Sequence, residues 1–336
     1  MSSILEIPEV KNKCQILTPI STVATMLDIA GYKKHLFGKK VLENSFGSGN
    51  ILLEIVIRYI RSCIKDKLSA EKIAIGLSED IYGIELDKDL FRKCRTALNQ
   101  IIKSYNLPPV KWKLYNKNAL EWHPDIYFDY IIGNPPYITY KELDDETRKT
   151  IKETYDSCSD GKFDYYYAFI EAGLRSLNST GKLVQLVPNN IYKNVFAHKL
   201  RCLLRENVSI IIDYPAQKIF KDVMTSSSIF VYDKSFADNL ITYKNETEKS
   251  ELKIPRNLLD GKWQFDKKIK ITSDLVYFGE LFTASIAIAT LLNEAFIVDD
   301  KIIDEYKIES KVLRKAVSPR SLRYKKMKQL YFLTFI

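Results

Sequence analysis

The chain has 336 residues, of which 46% are hydrophobic, and a formal net charge of +9 at pH 7. This length and composition exclude an intrinsically disordered chain and are sufficient for one to two packed domains. No apolar run approaches the roughly 20 residues of a membrane-spanning helix, and residues 1–14 lack the basic and apolar regions of a signal peptide. We therefore expect a cytoplasmic protein with no membrane contact.

Cysteine and histidine are too scattered to indicate a metal centre. The three histidines have no metal-ligand spacing, and the five cysteines form no Cys-x-x-Cys pair. This pattern predicts reduced, mostly buried thiols and no bound metal, instead of a zinc site or a disulfide framework.

The positive charge is concentrated near the C-terminus. Residues 311–336 contain eight Lys or Arg residues and no acid, and the remainder of the chain is almost balanced. A polyanion contact and a solvated lysine-rich tail fit this distribution equally well.

Short apolar runs alternate with amphipathic stretches over residues 40–235. Apolar runs predict strands, and apolar residues three and four positions apart predict helices. The predicted strands are 39–46, 81–86, 111–116, 128–134, 181–188, 208–214 and 227–233. The predicted helices include 51–63, 90–101, 165–177 and 196–205.

This alternation predicts an α/β fold with a mostly parallel seven-stranded sheet that is covered on both faces. No long helix fits between the last two strands, which indicates one antiparallel strand at the sheet edge. After about residue 240 the sequence becomes polar and rich in turn residues. We therefore predict a first domain over 1–240 and an incomplete or partner-dependent second domain over 241–336.

Ligands of open α/β sheets bind at the carboxyl ends of the strands, so the residues that follow each strand are site candidates. The first strand leads into Glu43-Asn44-Ser45-Phe46-Gly47-Ser48-Gly49-Asn50. Two glycines allow a tight turn and close approach of a ligand. The tract is not a P-loop and lacks the third glycine of the dinucleotide fingerprint, so an ordinary strand-to-helix turn explains it equally well.

The ends of the second and third strands carry polar side chains. Glu85 could accept hydrogen bonds from both hydroxyl groups of a ribose, whereas Asp87 is better placed to cap the following helix. Asn118, which precedes Ala119, could read an adenine edge, although a solvated turn asparagine is the simpler interpretation.

The fourth predicted strand ends in Asn134-Pro135-Pro136-Tyr137. The prolines end the strand and fix the backbone. The Asn134 side chain and the Pro135 carbonyl could accept the two hydrogens of a planar NH₂ group, and Tyr137 offers an aromatic face for stacking. This arrangement suits transfer to a conjugated amine without a metal, a histidine base or a covalent intermediate.

These motifs, in this order, resemble those of the gamma class of N6-adenine-specific DNA methyltransferases of Type II (IIG-like) restriction-modification systems. The resemblance covers about residues 15–336. It implies a Rossmann-like S-adenosylmethionine-dependent methyltransferase domain over 1–240, and the beginning of a truncated target-recognition domain over 241–336. It also implies S-adenosyl-L-methionine as cofactor and double-stranded DNA as partner, with a separate specificity or endonuclease subunit as a further partner.

The resemblance assigns roles to individual residues. The implied catalytic residues are Asn134, Pro135, Tyr137 and Phe220. The implied cofactor-binding residues are Thr18, Glu43, Phe46, Gly47, Gly49, Glu85, Leu86, Asn118 and Ala119. The implied DNA-binding residues are Arg314, Lys315, Arg320, Arg323, Lys325 and Lys326.

Three features depart from the family pattern. The family usually has proline at the position of Asn44 and commonly has aspartate at that of Asn118. Glu85 also follows Gly49 at a long spacing, which residues 65–80 explain as an insertion. We expect weaker cofactor binding as a result.

Other functions remain open from the sequence. The same four-residue motif occurs in enzymes that methylate RNA bases or a protein glutamine amide, because the acceptor is again a planar NH₂ group. A degenerate, inactive DNA-binding remnant is a non-enzymatic alternative. A nicotinamide oxidoreductase is disfavoured by the missing third glycine and by the proline loop.

Overall fold

The computed structural model describes residues 18–215, 226–265, 297–316 and 330–333. The chain divides into two compact units, residues 1–266 and 267–336. In the described part of the first unit, the helices are α1 (Ile20–Ala30), α2 (Asn50–Lys65), α3 (Ala70–Asp80), α4 (Lys88–Ser104), α5 (Asp145–Thr154), α6 (Tyr166–Arg175) and α7 (His198–Arg205). The strands are β1 (Val41–Glu43), β2 (Ile81–Ile84), β3 (Lys113–Tyr115), β4 (Phe128–Gly133), β5 (Leu177–Pro188), β6 (Val208–Tyr214), β7 (Ser227–Asp233), β8 (Leu240–Asn245) and β9 (Ser250–Pro255).

These strands form one sheet in the order β3-β2-β1-β4-β5-β7-β6-β8-β9. Strands β1 to β5 pair in parallel, which confirms the predicted α/β fold with a mostly parallel sheet. The prediction of an antiparallel strand at the sheet edge was wrong in its position. β7 is antiparallel, but it lies between β5 and β6 and pairs with both. Its burial on both sides explains the apolar run of residues 227–233.

Apolar layers cover both faces of the sheet. Ile131 and Ile132 are adjacent in β4 and belong to different buried clusters, as expected when successive side chains point to opposite faces. One cluster contains the buried side chains of α6, and the other contains those of α1, α2 and α4. β1 is buried at all three of its residues, so the site described below rests on a fully covered strand.

The sheet extends beyond the seven predicted strands. β8 pairs in parallel with β6, and β9 pairs with β8 in the antiparallel sense. The first unit therefore continues to residue 266, whereas the predicted boundary was at 240. β9 is polar because it lies at the sheet edge and only Ile254 is buried, which is why its sequence resembled a linker.

The stretch interpreted as an insertion contains a helix. α3 begins after Ser69, whose side chain accepts a hydrogen bond from the Lys72 amide. It buries Ile73 and Leu77 in the same cluster as α2 and leads directly into β2. The added residues thus extend one face of the core and leave the β1-β2 pairing intact.

In the second unit, the described residues form strands β10 (Ile297–Val298), β11 (Leu313–Ala316) and β12 (Leu330–Leu333), and helix α8 (Asp300–Tyr306). The three strands form a separate antiparallel sheet in the order β10-β12-β11.

Candidate functional site

The predicted site residues follow three neighbouring parallel strands at the same edge of the sheet. β1 ends at Glu43, β2 at Ile84 and β4 at Gly133, and the sheet order places β1 between the other two. Glu43 pairs in register with Gly83. The loops that contain the glycines, Glu85 and Asn134 therefore meet at the carboxyl edge, where ligands of such sheets bind.

The glycine-containing loop after β1 is tied to the end of β2. The Gly47 amide donates to Glu85 Oε2 at 2.7 Å, and the Phe46 amide donates to the Ile84 carbonyl at 3.1 Å. Glu85 Oε1 accepts from the Asp87 amide at 2.8 Å. Each carboxylate oxygen retains a further acceptor site. Glu85 thus shapes the loop and still has the capacity to accept from a ligand.

The two glycines serve different purposes. Gly47 has a φ of 55° and open space at its β-position, so only its left-handed backbone favours glycine there. Gly49 has a φ of 97°, and a β-carbon at this position would lie 2.4 Å from Cys94 Sγ. Gly49 is also the residue that precedes α2. The glycines therefore bring the helix N-terminus against α4 and the carboxyl edge of the sheet.

Two carboxyl groups face this edge from a desolvated environment. Burial raises the pKa of Glu43 well above its ordinary value, and the nearby Glu85 raises it further. Burial also raises the pKa of Glu85, against the lowering effect of its amide donors. Glu43 is 2% exposed, and its Oε2 has no hydrogen-bond partner among the described residues. An unpartnered buried acceptor of this kind fits a ligand that brings its own donor.

Asn118 and Asp87 both act as local caps. Asp87 Oδ1 accepts from the Asp89 and Leu90 amides at the start of α4, as expected. Asn118 Oδ1 accepts from the Leu120 amide at 3.1 Å, and its Nδ2 donates to Glu121 at 2.9 Å. The adenine-reading role of Asn118 and Ala119 stays a prediction.

Asn134 connects three segments of the site. Its Nδ2 donates to Thr18 Oγ1 at 3.2 Å, and its main-chain carbonyl accepts from Ser45 Oγ at 3.2 Å. The Thr18 carbonyl in turn accepts from Asn50 Nδ2 at 2.9 Å. The structure therefore brings together the segment before α1, the glycine-containing loop and the end of β4, although they are far apart in sequence.

The acceptor side of Asn134 is left open by this arrangement. Asn134 Oδ1 is buried and has no hydrogen-bond partner in the described part of the chain. Pro135, directly after it, is buried and continues the backbone away from β4. An unpartnered amide oxygen in a buried position is an acceptor that is prepared for an external N–H donor.

Tyr137 is attached to the neighbouring strand. Its hydroxyl group donates to the Leu186 carbonyl in β5 at 3.0 Å, and burial raises its pKa. Its ring centroid lies 6.0 Å from that of Tyr166, with the ring planes at 67°. Packing and a hydrogen bond thus fix the orientation of this ring.

The remaining predicted residues divide into two groups. Phe220 lies outside the described residues, as do Arg320, Arg323, Lys325 and Lys326. In the second unit, Arg314 is exposed and its Nη1 donates to the Lys311 and Leu313 carbonyls, and the Lys315 main chain pairs with β12. Leu86 is 51% exposed, which places an apolar surface beside Glu85.

Sequence reasoning missed three residues that organise the site. Ser45 and Asn50 make the contacts described above, and Asn116 Nδ2 donates to the Glu85 and Leu86 carbonyls at 2.8 and 2.9 Å. Each is a short polar residue within two positions of a strand end or directly after the second glycine, which is a signal that the sequence did contain. Their partners, however, lie on other segments and were not evident from local patterns.

Within residues 18–215, 226–265 and 297–316, no group of three or more His, Cys, Asp or Glu side chains has the geometry of a metal site. Over the described helices, none is both long and apolar enough to span a membrane.

Comparison with known proteins identifies the family. Residues 50–220 match the model of the Eco57I restriction-modification methylase family. The chain is 30% identical over 233 residues to the Type II methyltransferase M.BstVI of Geobacillus stearothermophilus, which covers 63% of this chain and 41% of that protein. It is 27% identical over 233 residues to the Type II methyltransferase M.PaeR7I of Pseudomonas aeruginosa, with 65% and 40% covered. The chain thus spans about two-fifths of the length of these relatives.

Solved structures show the same fold at low sequence identity. The methyltransferase subunit of a type I restriction-modification system from Streptococcus thermophilus aligns with a TM-score of 0.53 and 17% identity, over 76% of this chain and 55% of that one. A nuclease-deletion mutant of the Type ISP restriction-modification enzyme LlaGI, solved with a DNA substrate mimic, aligns with a TM-score of 0.54 and 16% identity, over 69% and 27%. The predicted methyltransferase fold is confirmed, and the chain belongs to the Eco57I restriction-modification methylase family.

Proposed function

We propose that this chain is the catalytic part of a site-specific DNA methyltransferase that acts in restriction-modification and methylates N6 of adenine. S-adenosyl-L-methionine would supply the methyl group of its sulfonium. The sulfur–methyl bond would break as the N6 amine accepts the methyl group, S-adenosyl-L-homocysteine would be the leaving group, and the amine would lose one proton to solvent. The family membership supports methyl transfer to DNA, and the geometry around Asn134 supports an amine as the acceptor.

The observation that carries the proposal is the state of the Asn134 amide. Thr18 takes the Nδ2 donor, so the amide presents its oxygen to the site. That oxygen is buried, and no described residue donates to it. An acceptor fixed in this way would bind one hydrogen of an NH₂ group, and the Pro135 carbonyl would bind the other. Two acceptors on one planar amine draw its nitrogen towards the nucleophilic, pyramidal form. Preorganised polar groups of this kind stabilise a transition state most strongly in a desolvated site.

The carboxyl edge of β1 and β2 fits the cofactor. Glu85 retains acceptor capacity for ribose hydroxyl groups, and Gly47 and Gly49 let the backbone approach closely. Glu43 Oε2 is a buried acceptor without a partner among residues 18–215 and the other described segments, which suits the ammonium group of the methionine portion. In this proposal Thr18, Phe46, Leu86, Asn118 and Ala119 complete the cofactor site.

The target adenine would have to leave the DNA helix to reach Asn134. Extrusion of a base costs a few kcal/mol, and stacking on an aromatic ring recovers about 1–3 kcal/mol. Tyr137, held in place by its hydrogen bond to β5, and Phe220 are the proposed stacking residues. The second unit, residues 267–336, is proposed to begin the target-recognition domain and to contact phosphates through its Lys and Arg residues. A separate specificity or endonuclease subunit is a proposed further partner.

The test is transfer of a deuterated methyl group from S-adenosyl-L-methionine to unmethylated duplex DNA. After digestion to nucleosides, mass spectrometry should detect labelled N6-methyladenine. The matched control is Asn134→Ala, which should give no labelled product. Label on a cytosine, or no label on DNA when the protein has bound the cofactor, contradicts the proposal.

The same assay separates the alternative acceptors. RNA and a protein substrate with an exposed glutamine amide are offered in parallel reactions. Label on either, without label on DNA, would replace the DNA proposal by one of these two classes. Cofactor binding without transfer to any acceptor would favour the inactive DNA-binding alternative.

A further inference from the structure

Gln185 is a buried polar residue in an otherwise apolar strand. It lies in β5 between Val184 and Leu186, and all three are 0% exposed. Neither Oε1 nor Nε2 of Gln185 has a hydrogen-bond partner among the described residues. A buried amide without partners destabilises a fold, so such a group is normally completed by ordered water or by another polar group.

A second unpartnered amide atom lies nearby. Asn44, directly after β1, is 5% exposed, and its Nδ2 donates to the Phe169 carbonyl at 3.5 Å. Its Oδ1 is buried and has no partner in the described part of the chain.

Gly133 separates the two amides. It pairs in register with Gln185 across β4 and β5. The position that a β-carbon of Gly133 would occupy lies 3.4 Å from Asn44 Oδ1, 3.5 Å from Gln185 Nε2 and 3.8 Å from Glu43 Cγ. Among the described residues, no atom is closer to this point, apart from those of the glycine and its chain neighbours. Because Gly133 has no side chain, one amide acceptor and one amide donor therefore face the same point beside its backbone.

We propose that Asn44 and Gln185 form a buried binding site for one water molecule, which links them across Gly133. The water donates to Asn44 Oδ1 and accepts from Gln185 Nε2. The link joins the loop after β1 to β5 and holds the backbone immediately before Asn134. By holding this backbone, Gln185 acts as a positioning residue for Asn134, which is the proposed acceptor of the target amine. This role of Gln185 rests on the proposed function.

The water site is tested by a crystal structure of the full chain with S-adenosyl-L-homocysteine, at a resolution that shows ordered water. We expect a water within hydrogen-bond distance of both Asn44 and Gln185, and its loss in Gln185→Leu, which keeps a similar volume. Well-ordered amides with no water between them, or with a direct bond to each other, overturn the proposal.

The link is tested independently of any activity by thermal unfolding of Asn44→Ala, Gln185→Leu and the double variant. We expect each substitution to shift the melting temperature of the wild type, but to shift it far less when the other substitution is already present. The reason is that either substitution alone breaks the link. The control pairs Gln185→Leu with Ser62→Ala, since Ser62 is buried and accepts from the Leu36 amide elsewhere in the fold. This control pair should be additive. Additive shifts for positions 44 and 185 overturn the link.

The positioning role is tested by two ligands that need no turnover. Sinefungin carries an amine where the sulfonium carries its methyl group, and S-adenosyl-L-homocysteine carries no group there. The ratio of their dissociation constants therefore reports on the acceptor at Asn134. The ratio measured for Asn134→Ala gives the value expected when that acceptor is absent. We expect Gln185→Leu to move the ratio towards that of Asn134→Ala by about two- to tenfold, the range of one neutral hydrogen bond.

An unchanged ratio in Gln185→Leu overturns the positioning role. If the wild-type chain binds neither ligand, the proposed function fails, whereas the unfolding cycle still decides whether Asn44 and Gln185 are linked.

Discussion

Asn134 Nδ2 donates a hydrogen bond to Thr18 Oγ1 at 3.2 Å, across 116 residues of sequence. This contact fixes the Asn134 amide with its oxygen towards the unpartnered side. It joins a residue two positions before α1 to the residue that follows β4. A side chain assigned from the sequence to the cofactor thus also orients the proposed acceptor of the target amine.

The first prediction concerns Asn134 itself. Asn134→Ala should lower the methyl-transfer rate by about 10²–10³-fold, the usual effect of removing one preorganised polar group from an active site. The dissociation constant of S-adenosyl-L-methionine, measured by calorimetry, should change little because Glu43, Glu85 and the glycine-containing loop remain in place. Equal losses of transfer and of cofactor affinity would mean that the acceptor site is misplaced.

Thr18 should act through Asn134. Thr18→Val keeps the shape of the side chain and removes the hydroxyl group, so the Asn134 amide loses its orienting partner. We expect the transfer rate to fall by about tenfold, since small misorientations of reacting groups are costly. The matched control is Thr18→Ser, which retains the hydroxyl group and should restore most of the rate. If Ser and Val behave alike, the hydroxyl group does not orient the amide.

Glu43 should make the stability of the ligand-free protein depend on pH. Its folded-state pKa is raised above the unfolded value, so the folded state holds the proton more tightly. Its contribution is therefore most favourable below the ordinary pKa of about 4.5 and is lost as pH rises towards the folded-state pKa.

Glu43→Gln, which has no proton to lose, should therefore be more stable than the wild type, and its advantage should grow with pH. Chemical unfolding at pH 5 and pH 8 provides the measurement. The control is Glu251→Gln. Lys244 lowers the pKa of the Glu251 carboxyl, so this variant should gain no stability over the wild type as pH rises from 5 to 8. A constant difference between Glu43→Gln and the wild type across this range would contradict the burial argument.

The two glycines of the loop should differ in their tolerance of alanine. Gly47→Ala meets no neighbouring atom among the described residues, so only the left-handed backbone opposes it, at about 1–2 kcal/mol. Gly49→Ala has a backbone penalty at least as large, because its φ of 97° lies further from the region that side chains tolerate, and it also places a methyl group against Cys94 Sγ. Its unfolding free energy should therefore fall further than that of Gly47→Ala. Replacing Cys94 by Ala in the Gly49→Ala variant should recover part of the difference, and no recovery would show that the contact is not the cause.

Much of the site could be anticipated because its signals are local. A proline pair after an apolar run, two glycines after a strand and an acid after the next strand are all read within a few residues. The confirmed α/β fold follows from the alternation of apolar runs and helical periodicity. The position of β7 could not be read in this way, because the pairing partners of an apolar strand are chosen by the whole sheet. The edge strand β9 was missed for a related reason, since a strand with one exposed side loses its apolar pattern.

Local backbone preferences place Asn134, Glu85 and the glycines after their strands, so the chemical groups at each strand end can be read from the amino-acid sequence alone. The partners of those groups depend on how the strands and loops come together in the folded chain. The Asn134 amide donates to Thr18 and the Gly47 amide donates to Glu85, whereas Glu43 Oε2 and Asn134 Oδ1 are buried without partners in the described part of the chain. Hydrogen bonds between segments separated by tens of residues depend on register and packing across the sheet, which no local pattern contains.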